Sequence, residues 1–98
     1  MARLRSTIKK LMMALAMQKN EIYLIDSRQW WSDSKAKPMT KYILSKRLSQ
    51  AEWNRLHPNK PTKAEHKNDV ILETFKELEI LLFLVEQLKA GENNAERA

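Results

Sequence analysis

The sequence predicts an α+β domain in the order amphipathic helix, β-hairpin, short helix and long C-terminal helix. Three observations carry that expectation. Apolar residues recur at helical spacing near both ends of the chain, β-branched and aromatic runs cluster between residues 21 and 47, and capping-box tetrapeptides follow the second run. The length of 98 residues leaves room for one domain, expected over residues 1–91, with a frayed polar tail over 92–98.

The first helix is expected over residues 3–19. Leu4, Ile8, Leu11, Met12, Leu15 and Ala16 form one apolar stripe, and Asn20 suits a left-handed C-terminal cap. This segment is cationic, has no acid before Glu21 and contains Ala14-Leu15-Ala16, features shared with presequences and membrane-surface helices. Packing against a core is the expectation adopted for it.

Two strands are expected next, Glu21–Trp31 and Met39–Arg47. Ile22-Tyr23-Leu24-Ile25 and Tyr42-Ile43-Leu44 supply their centres, and the polar loop Asp33–Pro38 joins them. A lone pair of strands is marginal in water, so helices or a second copy of the chain must cover it. Ser49-Gln50-Ala51-Glu52 then reads as a capping box, with Leu48 and Trp53 at hydrophobic-staple positions. The helix it opens is short, because Pro58 draws His57 out of helical geometry. After that proline linker, Thr62-Lys63-Ala64-Glu65 reads as a second capping box. A helix is expected from there to Ala90, with Gly91 as its terminus. Ile71, Phe75, Leu78, Leu82 and Val85 form its stripe. Ile80 through Val85 are apolar without interruption, more than the other elements can cover.

Chemistry is sparsely signposted. The absence of cysteine excludes thiol catalysis, disulfides and cysteine-ligated metals, and a single glycine excludes a glycine-rich phosphate loop. His66 with Asp69 or Glu73 is the nearest approach to a ligand set or an acid–base pair, and its spacing fits neither well. No catalytic residues, metal site or cofactor are expected, and the chain is read as non-enzymatic. No apolar run is long enough for a membrane span. A reducing, cytoplasmic setting is the expected compartment.

Charge is the strongest functional signal. Residues 1–62 hold thirteen Lys/Arg against four Asp/Glu, whereas residues 63–98 hold five against eight, so the basic surplus lies in the first two thirds. Within it the hairpin interleaves cations with rings: Arg28, Trp30, Trp31, Lys35, Lys37, Lys41, Tyr42, Lys46 and Arg47. Cations meet phosphates and flat rings meet bases, so Arg28, Trp31, Lys35, Lys37, Lys41, Lys46 and Arg47 are the expected nucleic-acid-binding residues of an accessory or regulatory protein. Trp30 and Trp31 should point to opposite faces of the strand, one of them free to anchor the core. The alternative function is a protein–protein interaction module, such as an adaptor, an inhibitor or an assembly subunit. It would be a homo-oligomer through Ile80, Phe83 and Leu84 of the last helix.

Overall fold

The computed structural model describes residues 2–97, with side chains described for residues 4–90. Six elements follow one another: α1 (Ala2–Lys19), β1 (Tyr23–Ser32), β2 (Lys37–Ser49), α2 (Gln50–Leu56), β3 (His66–Thr74) and α3 (Glu77–Arg97). The fold is α+β, a three-stranded antiparallel sheet in the order β1-β2-β3 with helices packed on it. Gly91, expected to end the last helix, falls within the bounds of α3. The expected polar tail, 92–98, lies where no side chain is described.

α1 forms as its stripe requires. Ile8 and Leu15 are fully buried, Leu4, Leu11 and Met12 pack beside them, and Asn20 ends the helix at φ 55°. The hairpin pairs Tyr23 with Lys46, Ile25 with Leu44 and Ser27 with Tyr42, and runs on to Ser32 opposite Lys37. Ala36 takes φ 51° in the connecting turn, an uncommon conformation for a residue with a Cβ. Pro38 costs the ladder nothing. It lies opposite Trp31, where the nitrogen of β2 points away from β1, and β3 has already ended opposite Tyr42.

The expected helix over 63–90 is corrected by the structure: residues 66–74 are a third strand, and the helix begins only at Glu77. Thr62 caps nothing. Its hydroxyl accepts from the Ala64 amide two residues on, closing a tight local turn instead of a helix start. The Asn68-Asp69-Val70-Ile71 stretch has low helix propensity, and pairing it with β2 gives the hairpin the third strand that it needs to be stable. Ser45 lies opposite Val70 and Leu44 opposite Leu72, so Ile71 is the extra residue of a bulge. At the end of β3 the buried Thr74 turns the chain into α3. Its hydroxyl accepts from the Lys76 amide and donates to the Glu79 carboxylate.

The core lies between the helices and one face of the sheet: Ile8 and Leu15 of α1, Tyr23 and Leu44 of the hairpin, Ile80 and Leu84 of α3. The Tyr23 and Phe83 rings meet edge to face at 6.3 Å. α2 lies on this same face, over the end of β2 and β3. Lys67, opposite Leu48, sets its ammonium 4.5 Å from the Trp53 ring, and His57 reaches Asp69 at 3.3 Å. The short helix starts as expected, with the Ser49 hydroxyl accepting from the Glu52 amide at 3.2 Å; Leu48 and Trp53 are both buried.

Because every helix lies on that one face, the opposite face of the sheet is left open among the described residues. Alternation along the strands places Leu24, Asp26, Arg28 and Trp30 of β1 there, with Met39, Lys41 and Ile43 of β2 and Val70 and Glu73 of β3, although Ile43 at its centre is itself buried. The stripe expected to pack α3 is displaced as well. Ile80 and Leu84 are inside, while Leu78 and Leu82 are 52% and 55% exposed.

Candidate nucleic-acid interface

The hairpin has two regimes. Near its base, Tyr23 and Leu44 lie under α1 and α3, and charged side chains there are engaged in pairs. Lys46 bonds Glu21 at 3.0 Å and sits 5.9 Å from the centre of the Tyr23 ring. Burial, and after it the Glu21 carboxylate, push the Tyr23 hydroxyl up to about 12. Lys41 pairs with Glu73 at 3.1 Å across β2 and β3, and the Arg47 guanidinium lies 3.3 Å from the His66 ring.

Beyond Ser27 and Tyr42 the two strands continue as an arm past the helices, exposed on nearly every side. Arg28, Lys35 and Lys37 lie on this arm, and no carboxylate within salt-bridge distance of any of them occurs among the described residues. Asp33 is its one acid. Trp31 is 60% exposed and Trp30 43%, so neither indole anchors the core. They do take opposite faces. Trp30 leans over the open face to within 6.1 Å of the Phe75 ring, and Trp31 points to the face that the helices leave uncovered at this height.

The structure therefore brings Arg28, Trp31, Lys35 and Lys37 together on one protrusion, with Lys41 at its root. Lys46 and Arg47 belong to the base. Ile80 and Leu84, expected at an oligomer interface, are fully buried in the chain's own core, and the half-buried Phe83 packs on Tyr23. Sequence reading misses the Trp30–Phe75 pair, because helical spacing assigns Phe75 to a helix. It also misses the way α2 grips the following loop. Trp53 donates its indole N–H to the Lys60 carbonyl at 2.7 Å and stacks on His57, while Asn54 exchanges two bonds with the backbone of Thr62.

Elsewhere the chemistry is thin. Asp69 faces His57, not His66. Among the described residues no three His, Cys, Asp or Glu side chains gather as metal ligands, and no helix is long and apolar enough to cross a membrane. A cleft of about 270 Å³ between α1 and the hairpin is lined by Arg5, Lys9, Asp26, Ser27, Tyr42 and Glu77. Its charges are partly spent on each other, for Glu77 accepts from Tyr42 at 3.1 Å and lies 3.6 Å from Arg5. No family model matches the chain, and neither does any curated protein or solved structure.

Proposed function

We propose that this protein binds nucleic acid, with the hairpin arm as the contact and a non-enzymatic accessory or regulatory role. The observation that carries the reading is the exposed Trp31 ring on an arm whose cations, Arg28, Lys35 and Lys37, have no carboxylate within salt-bridge distance among the described residues. Phosphates supply that missing charge, and an uncovered indole offers a stacking surface to a base. Rings can stack only on bases that are free of a duplex, so single-stranded or looped segments suit the arm best. Trp30 and Phe75 extend the aromatic surface around to the open sheet face.

The test is the salt dependence of binding to a single-stranded oligonucleotide. Lys35→Ala with Lys37→Ala should flatten the slope of log K against log salt by about 1.4, about 0.7 for each phosphate left without its lysine. Trp31→Ala should weaken binding by roughly 1–3 kcal/mol with little change in that slope. A wild-type protein that binds no oligonucleotide at low salt overturns the reading, and so does an unchanged slope in the double variant. A protein-interaction role is the second reading. Leu78 and Leu82 favour it, since they lie one turn apart on α3 and are both more than half exposed.

A further inference from the structure

β1 is an edge strand of unusual regularity. It runs ten residues without a bulge, a proline or a lysine, and among the described residues only β2 pairs with it. Proteins ordinarily interrupt such an edge, because its unpaired backbone groups are a template for another strand. The direction of those groups follows from two bonds. The Arg47 amide donates to the Ile22 carbonyl at 2.8 Å, so even-numbered residues of this strand face β2. The Ser27 amide is instead met by its neighbour's carboxylate, Asp26 Oδ1, at 2.8 Å, as befits an outward-facing group. Tyr23, Ile25, Ser27, Gln29 and Trp31 therefore turn their N–H and C=O groups to the free edge.

We infer that two copies of this chain pair through β1, antiparallel, with the twofold axis at Ser27, forming a continuous six-stranded sheet. In that register the outward-facing residues meet one another: Ser27 its own copy, Ile25 the other copy's Gln29, and Tyr23 the other copy's Trp31. Side chains match as well as backbone. On the open face Asp26 lies opposite Arg28 of the second copy, twice by symmetry, and Leu24 lies opposite Trp30. Sliding the axis to Asp26 sets two aspartates face to face, and sliding it to Arg28 sets two arginines face to face. Like charges directly opposite destabilise a strand pair, so both adjacent registers are disfavoured, and the Ser27 axis is the one that sets Asp26 opposite Arg28. The Asp26 carboxylate now capping the Ser27 amide would release it to the second copy's Ser27 carbonyl and turn to Arg28. A twofold pairing of this kind is closed and consumes the edge instead of propagating it. It also leaves the turn with Lys35 and Lys37 free at each end, whereas Arg28 and Trp31 enter the seam, so pairing and nucleic-acid binding compete for those two residues.

The experiment uses the full chain without nucleic acid. Since the sequence has no cysteine, Ser27→Cys introduces a single thiol. Directly opposed, hydrogen-bonded residues have Cα atoms about 5.5 Å apart, within the span of a disulfide. Ser27→Cys should give a covalent dimer under mild oxidation. Gln29→Cys should not, because the two copies of residue 29 are roughly 13 Å apart along the strands. In sedimentation equilibrium, Arg28→Asp should weaken association by about tenfold or more, and Asp26→Arg likewise. Combining the two restores the opposed pairs and should recover association to about the wild-type level. A wild-type mass of 11.6 kDa at every concentration would refute the pairing, as would equal cross-linking at positions 27 and 29. A double variant as weak as the single ones would refute this register.

Discussion

The base and the arm of the β1–β2 hairpin are built from the same two strands, yet they live in different environments. At the base, α1 and α3 cover one face, Leu44 is completely buried, and each charged side chain has found a partner. Past Tyr42 the ladder continues without interruption, but the cover stops, and among the described residues Arg28, Lys35 and Lys37 have no salt-bridge partner. Strand pairing therefore does not distinguish core from exposed surface in this chain. The reach of the helices does. Residues of the base answer to stability and residues of the arm are free to answer to a ligand.

The sharpest way to break that division is to truncate one large side chain from each region. Leu44→Ala leaves a cavity beneath both helices and should cost about 2–5 kcal/mol in urea unfolding. Trp31→Ala removes a larger side chain yet should change stability by no more than about 0.5 kcal/mol, because the ring is 60% exposed and lies outside the core cluster. A Trp31→Ala cost near that of Leu44→Ala would mean that the arm is packed after all, and would remove the basis for reading it as a binding surface.

Tyr23 gives the base a pH signature that the arm lacks. Its hydroxyl titrates at about 12 in the folded chain against 10.0 for a free tyrosine, because burial disfavours the phenolate and Glu21 repels it. Below pH 10 the group is protonated in both states and contributes no pH dependence. Between 10 and about 12 the unfolded chain gives up a proton that the folded chain keeps, so stability falls as pH rises. The difference between wild type and Tyr23→Phe is the quantity to measure, because it isolates this one hydroxyl. Tyr23→Phe should lose stability less steeply over that window. Parallel curves would show Tyr23 to be more hydrated than its 6% exposure implies.

How much of this was legible in the sequence depended on whether a local signal matched its tertiary setting. The α1 stripe, the Asn20 cap, the hairpin and the Ser49 cap are local patterns that the fold endorses, and the α+β class follows from them. β3 was illegible because Val70, Ile71, Leu72 and Phe75 fit helical spacing as readily as they fit a strand. The arbiter was the empty edge of β2, a long-range need invisible in a window of residues. The same error hid the open face, since a two-stranded hairpin beneath long helices leaves no bare sheet to notice. At the candidate site, composition identified the arm's residues, but it could not separate Lys35 and Lys37 from Lys41 and Lys46. Only register places Glu73 and Glu21 beside the latter pair.

The two capping-box tetrapeptides carry that lesson to its smallest expected effect. Ser49-Gln50-Ala51-Glu52 and Thr62-Lys63-Ala64-Glu65 are alike on paper, but only the first opens a helix. Ser49→Ala should cost about 0.5–2 kcal/mol, since the Glu52 amide loses its acceptor at the start of α2. Thr62→Ala should cost less, below about 0.5 kcal/mol, because it removes one exposed turn bond. What fixes Thr62 is its backbone: its amide donates to Asn54 Oδ1 at 2.8 Å, and its carbonyl accepts from Gln50 and Asn54. Asn54→Ala should accordingly exceed Thr62→Ala, at about 1–2 kcal/mol for two bonds to a half-buried amide side chain. Urea midpoints for the three variants give the order directly. Thr62→Ala ranking with Ser49→Ala would mean that the second box caps a helix in solution, and β3 with its open face would then have to be withdrawn.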